Sequence, residues 1–123
     1  MSSSYQDLRV WQQAMALAAH VYRSTEKFPK HELYGLVSQT RRAAVSVASN
    51  IAEGKGHRSN REFLHFLYHA RGSLFELETQ ILLAHQLQYI SEEEKTEVQQ
   101  LITPAARSLT GLINSLDSAA ITK

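Results

Sequence analysis

The chain has 123 residues and 43% of them are hydrophobic, which suits one domain with a packed core and leaves too little length for two ordinary domains. It contains no cysteine, which excludes disulfides, thiolate nucleophiles and cysteine zinc sites, and a formal net charge of +1 names no partner by itself. Five glycines and two prolines argue against a loop-rich or all-β fold. The sequence begins without a basic-then-apolar signal pattern, and no apolar run reaches the roughly 18 residues that cross a membrane. We therefore expect a soluble, cytoplasmic protein with no membrane partner.

Four segments carry the helical period of apolar residues, with short connections between them. These segments predict helices over residues 6–27, 31–53, 59–89 and 91–117. In the first segment, one row of apolar residues steps by three and four, Leu8, Trp11, Met15, Ala18 and Tyr22, and a second row lies alongside it, Val10, Ala14, Leu17 and Val21. The whole chain, residues 1–123, is thus predicted to be a single all-α domain, an antiparallel up-down-up-down four-helix bundle.

The breaks between the segments have recognisable signals. Pro29 disfavours helical geometry in the residue before it, and Gly54 and Gly56 are typical of a helix end. The third and fourth segments each open with a serine followed three residues later by a glutamate, the pattern of a reciprocal capping box.

The third segment has two apolar rows where an isolated surface helix normally has one. The core row steps by four and three residues without a miss: Phe63, Leu67, Ala70, Leu74, Leu77, Ile81 and Ala84. The second row has a strict seven-residue spacing and one further leucine beside it: Tyr68, Phe75, Leu82 and Tyr89, with Leu64. Aromatic side chains that merely broaden the core face would explain this row, and so would a subunit interface. We favour the interface, because tyrosine and phenylalanine are typical anchors at interface centres.

The strongest catalytic-looking cluster lies at the start of the third segment. Glu62 and His65 have the Glu-x-x-His spacing of one half of a carboxylate di-iron site, and His69 follows one turn later. A di-iron site needs a second such pair, and no other histidine in the sequence has a glutamate three residues before it. These three residues also fall away from the core row, which favours a solvated polar face. We therefore predict no metal site, no cofactor, no small-molecule substrate and no enzymatic activity.

Charge is distributed unevenly along the sequence. Between residues 41 and 71 there are six basic and two acidic residues, whereas between residues 76 and 97 there are six glutamates and one lysine. Phosphate groups are typically bound by cationic side chains and by helix N-termini. The candidate nucleic-acid-binding residues are Arg41, Arg42, Lys55, His57, Arg58, Arg61 and Arg71. A solvated basic loop with ion pairs to neighbouring glutamates is the alternative for a single copy, whereas a symmetric oligomer would repeat the patch and add weak contacts together.

One stretch resembles the signature of a bacterial family. Residues 39–54 (QTRRAAVSVASNIAEG) look like the signature of the four-helix bundle family first associated with intervening sequences in 23S ribosomal RNA genes. Residues 5–14, 28–36 and 72–78 resemble the opening, the first connection and the third helix of that family, so the resemblance covers roughly residues 5–117.

The resemblance implies an antiparallel four-helix bundle assembled as a ring-shaped homopentamer, and it implies no catalytic activity. A related branch, the accessory variability proteins of diversity-generating retroelements, forms positively charged pentamers that bind nucleic acid and a reverse transcriptase. The net charge of +1 departs from the strongly basic character of that branch. We expect an oligomeric module associated with nucleic acid or ribonucleoprotein. The alternative is a structural or protein-interaction oligomer without affinity for nucleic acid.

Overall fold

The computed structural model describes the backbone of residues 4–122 and the side chains of residues 4–118, and this part of the chain is helical without any β-strand. Four α-helices account for most of it: α1 (Arg9–Thr25), α2 (Ser38–Lys55), α3 (Asn60–Gln86) and α4 (Glu92–Thr122). The prediction of four helices is confirmed, and α4 continues beyond its predicted end at residue 117. None of these helices is both long and apolar enough to cross a membrane.

Each helix packs against its neighbours in the sequence, and α1 also packs against α4, which closes the bundle. The core row of α3 is buried at all seven predicted positions. Gly54, in the last turn of α2, brings that helix close to α3. A Cβ atom at this position would lie 2.7 Å from the Phe66 Cβ and 2.9 Å from the Phe63 Cδ1, so a side chain here would push the two helices apart.

The connection from α1 to α2 differs from the prediction of one helix over 31–53. A 3₁₀ turn (Lys30–Glu32) and a π-helical segment (Leu33–Val37) precede α2. Gly35 has φ −109° and ψ −111°, which breaks the regular helix, and a Cβ there would lie 2.7 Å from the Glu32 Oε1. The Glu32 carboxylate accepts hydrogen bonds from the Leu36 N–H at 3.0 Å and from the Tyr89 hydroxyl at 2.8 Å. These two bonds hold the irregular segment against the far end of α3.

The start of α4 agrees with the predicted capping box, and the start of α3 agrees with half of it. The Ser91 hydroxyl accepts a hydrogen bond from the Glu94 N–H at 3.1 Å, and the Glu94 carboxylate accepts one from the Ser91 N–H at 2.9 Å. In α3 the Ser59 hydroxyl accepts from the Glu62 N–H, but the Glu62 carboxylate turns to His57 and to the Ser59 hydroxyl. The reciprocal bond predicted for α3 is therefore wrong, because the His57 ring competes for Glu62.

The end of α3 lies at Gln86, three residues before the predicted end. Gln88 has φ 66°, in the left-handed region, and the Tyr89 N–H bonds back to the Ala84 carbonyl at 2.9 Å. This is the hydrogen-bond pattern of a Schellman motif, which ends a helix by satisfying its last carbonyls. Such a motif usually has glycine at the left-handed position. Because this position is occupied by Gln88, the sequence contains no glycine that would have signalled the end of α3.

Candidate functional site

A row of large apolar side chains lies exposed along α3. Tyr68, Phe75 and Leu82, here called the α3 ridge, are 41%, 60% and 43% exposed. Their seven-residue spacing gives them nearly the same direction on the helix. The Tyr68 hydroxyl donates a hydrogen bond to the Asp117 Oδ2 of α4 at 3.0 Å, and this bond raises the pKa of the tyrosine. The ridge therefore lies on the α3/α4 side of the bundle.

Two of the five predicted interface residues are not part of this ridge. Leu64 is only 7% exposed and belongs to the core of the bundle. Tyr89 follows the left-handed turn at Gln88, so it has left the helical row, and its ring packs against Phe28 with the centroids 5.6 Å apart. Leu64 and Tyr89 therefore make their described contacts within the single chain.

A groove runs beside the ridge between α3 and α4. It has a volume of about 500 Å³, and Leu74, Phe75, Ile102 and Ala106 contribute to its lining. The lining also includes Gly111, where a Cβ would meet nothing within 4 Å. The exposed Phe75 ring thus forms one edge of an open, mostly apolar groove.

A second apolar surface lies between α1 and α2. This α1/α2 groove has a volume of about 410 Å³ and large side chains at its edges, among them Met15, Tyr22 and Val45, which are 45%, 43% and 41% exposed. Its lining between them is made of small residues: Ala18, Ala19, Ala48, Ser49 and Ala52. Met15 and Tyr22 belong to the apolar rows from which the first helix was predicted, and the structure leaves both of them exposed. The same two-row signal that singled out α3 was present in α1.

The predicted nucleic-acid-binding residues do not form one patch. Four of them lie in or next to the turn between α2 and α3, here called the cationic turn: Lys55, His57, Arg58 and Arg61. Within residues 4–118, the Arg58 and Arg61 side chains are exposed and form no ion pair or hydrogen bond. His57 is already engaged, because its Nδ1 lies 2.6 Å from the Glu62 Oε2 and its ring stacks on Phe66.

The other three arginines lie apart from the cationic turn. Arg41 and Arg42 are near the opposite end of α2, about 20 Å along the helix from Lys55. The Arg41 Nε donates to the Thr25 Oγ1 at 2.8 Å, and its guanidinium lies 4.6 Å from the centre of the Tyr22 ring. Arg71 lies 5.0 Å from the centre of the Tyr68 ring. The seven candidate residues are therefore spread along the length of α2 and α3, and their role in binding nucleic acid stays a prediction.

The end of the bundle opposite the cationic turn is acidic and partly neutralised. Lys27 pairs with Glu94, and this hydrogen bond lowers the pKa of the carboxyl and raises that of the lysine. Lys95 pairs with Glu92 at 2.6 Å and lowers its pKa in the same way. Glu93, in the first turn of α4, adds a further exposed carboxylate. The two ends of the bundle thus differ in charge.

The histidine cluster of α3 is spread over its surface. His65 and His69 are exposed with their ring centres 4.6 Å apart, while Glu62 is bound to His57. Among the residues that the structure describes, no group of three or more histidine or acidic side chains is arranged to hold a metal ion.

Ser46 and Ser73 form a 2.8 Å hydrogen bond between α2 and α3, which gives both hydroxyls a structural role.

Comparisons with known proteins identify the family. The model of the 23S rRNA-intervening sequence protein family matches residues 6–111. A crystal structure from Bacteroides thetaiotaomicron, of a protein with unknown function from the S23 ribosomal protein family, has a similar fold, with a TM-score of 0.76 and 20% sequence identity. The similarity covers 85% of this chain and 97% of that one. No curated protein sequence matches the chain. The family match extends over most of the sequence, and the chain belongs to the 23S rRNA-intervening sequence protein family.

Proposed function

We propose that this protein is a non-enzymatic module that works as a homo-oligomer of helical bundles. The observation that carries the proposal is the α3 ridge, where three large apolar side chains in one row are between 41% and 60% exposed. Complete burial of one such side chain contributes about 1.5–3 kcal/mol before the costs of association are subtracted. Association of copies would remove this apolar surface from water.

The number of copies is proposed to be five, arranged as a ring. The family resemblance of residues 39–54 supports this number. A ring needs contacts that repeat with the same rotation from copy to copy until it closes.

Sedimentation velocity at micromolar concentration tests the oligomer. We expect the wild-type protein to sediment at five times the chain mass of 13.9 kDa. Changing Phe75 and Leu82 to glutamate should give helical monomers, because two carboxylates would then have to be desolvated in the interface. The matched control is Leu83→Glu, which alters a leucine of similar exposure (44%) outside the ridge. A wild-type protein that sediments as a monomer would refute the proposal.

A second proposed function is weak, sequence-independent binding of RNA or single-stranded DNA. The exposed and unpaired Arg58 and Arg61 side chains favour it, together with Lys55 at the same end of the bundle. In an oligomer each copy would contribute one cationic turn, so weak phosphate contacts would add through multivalency. The acidic first turn of α4 would repel the same ligand from the other end.

Fluorescence anisotropy of a labelled oligonucleotide at about 50 mM and about 200 mM salt tests this binding, since each neutralised phosphate contributes a log–log slope of about −0.7 on single strands. The variant Arg58→Ala/Arg61→Ala should flatten the slope and keep the oligomer. Arg23→Ala/Lys30→Ala removes the same charge from exposed positions elsewhere and should leave the slope unchanged. Absence of binding by wild type at the lower salt would exclude this function and leave a purely structural oligomer.

A further inference from the structure

The two apolar surfaces of the bundle lie on opposite sides. α1 packs against α2 and α4, and α3 packs against the same two helices, so the α1/α2 side and the α3/α4 side have the bundle between them. The α1/α2 groove lies on the first side and the α3 ridge on the second. One copy can therefore contact two neighbours at once.

We infer that the α3 ridge of one copy docks into the α1/α2 groove of a second copy, in a head-to-tail contact. This inference rests on the proposed homo-oligomer and specifies which surfaces meet. The sequence indicated only the ridge. Its counterpart comes from the exposed side chains of α1 and α2, above all Met15 and Val45.

The two surfaces have complementary shapes. The ridge presents large side chains at intervals of about 10.5 Å, the rise of seven helical residues. The groove presents a lining of alanines and serine between larger side chains at its edges. Helices pack when the ridges of one fit the grooves of the other. Two ridges placed face to face would instead set Phe75, which is 60% exposed, against another projecting row.

The lengths of the two surfaces also agree. From Tyr68 to Leu82 the ridge spans about 21 Å. The α1/α2 groove extends from Trp11 to Tyr22, about 17 Å along α1. Tyr22 also lines a further groove with Leu33 and Tyr34, which are 49% and 93% exposed, so the apolar surface continues along the connection to α2.

The other two sides of the bundle are polar where the described contacts define them. On the α1/α4 side, His20 lies 3.7 Å from the Glu97 carboxylate. On the α2/α3 side, Arg42 and Glu76 line a polar notch. A contact between unlike surfaces repeats from copy to copy and closes into a ring if the rotation allows it. The polar sides would then be left facing solvent.

Cysteine cross-linking tests the inference, because the chain has no cysteine of its own. Thr79 is exposed within one turn of Phe75 and Leu82, and Ser49 is exposed in the α1/α2 groove, so Thr79→Cys and Ser49→Cys mark the two surfaces without removing a large apolar side chain. A short bifunctional maleimide should join a Thr79→Cys copy to a Ser49→Cys copy in a mixture of the two proteins. Neither variant alone should cross-link, and the double variant should give a ladder of covalent multimers.

Glu97→Cys in place of Thr79→Cys is the control, because Glu97 is exposed on the α1/α4 side, where its carboxylate lies 3.7 Å from the His20 Nε2. It should not cross-link to Ser49→Cys. If the wild type is oligomeric but Thr79→Cys cross-links to itself and not to Ser49→Cys, the inference is wrong and the proposed oligomer stands. A monomeric wild type would instead overturn the proposed function, and the inference with it.

A second test measures the oligomeric state of variants in which either the α1/α2 groove or the α3 ridge is disrupted. Met15→Glu/Val45→Glu should give helical monomers, as Phe75→Glu/Leu82→Glu should, because each variant loses one half of the same contact. If Met15→Glu/Val45→Glu forms an oligomer of wild-type mass, the inference is wrong, whereas the α3 ridge remains a candidate interface. Circular dichroism of both variants establishes that the helices are intact.

Discussion

Gly54 offers a direct test of how closely α2 and α3 must approach. An added Cβ would lie 2.7 Å from the Phe66 Cβ and 2.9 Å from the Phe63 Cδ1, whereas unstrained carbon atoms are about 3.5–4.0 Å apart. The Phe66 Cβ is attached to the backbone and cannot swing away as the tip of a long side chain could. Gly54→Ala therefore requires the two helices to separate by roughly 1 Å at this point.

The expected loss of stability is the balance of two effects. Overpacking of a core contact costs about 1–3 kcal/mol. Replacing glycine by alanine within a helix returns up to about 1 kcal/mol, and less near a helix end. We expect Gly54→Ala to lower the free energy of unfolding by about 1–2 kcal/mol.

Urea unfolding monitored by circular dichroism measures this loss of stability. All variants are compared at the same protein concentration, because the stability of an oligomer depends on the concentration of its chains. Gly72→Ala is the matched control: Gly72 lies inside α3, and a Cβ there would meet nothing within 4 Å. That substitution should raise stability by about 0.5–1 kcal/mol. If Gly54→Ala is as stable as wild type or more so, the close contact does not determine the spacing of the helices.

Three further predictions concern single residues. Gln80→Met should raise the urea midpoint, because Gln80 is only 7% exposed and its Oε1 has no hydrogen-bond partner. Leu67→Ala should lower the free energy of unfolding by about 2–5 kcal/mol, since the side chain is completely buried. Hydrogen bonds from Lys27 and Ser91 hold the pKa of Glu94 below its ordinary value, so its contribution to stability is complete above the unfolded-state pKa and is lost as the pH falls through the lower folded-state pKa. Unfolding curves of wild type and Glu94→Gln should therefore differ most at neutral pH and converge in acid.

The regular parts of the fold could be predicted from the sequence because they depend on local periodicity. The core row of α3 is an example, since a repeat of four and three residues has one structural meaning in a helix. The end of α3 could not be predicted, because Gln88 adopts a left-handed conformation that glycine would have signalled. The number of helices could be predicted from the period of the apolar residues. The π-helical segment could not, because it is held by the hydrogen bond between Glu32 and Tyr89, which are 57 residues apart in the sequence.

The candidate surfaces were predictable only in part, for a geometric reason. The α3 ridge is a property of one helix, so its spacing was visible in the sequence. The α1/α2 groove depends on two helices and on the small residues between them, among them Ala18 and Ala48. The basic residues were grouped by sequence distance, but α2 separates Arg42 from Lys55 by about 20 Å.

The π-helical segment Leu33–Val37 sets the rotational phase of α2. A π turn contains more residues than an α turn, and each residue of an α-helix advances by about 100° around the axis. Deleting one residue from this segment would rotate every side chain of α2 by about 100° relative to α1. Val47 would leave the core, and Arg41 would lose its bond to the Thr25 hydroxyl. The chain can therefore change length in the turn between α2 and α3 more readily than in this segment, where the residue count determines which side of α2 faces the core.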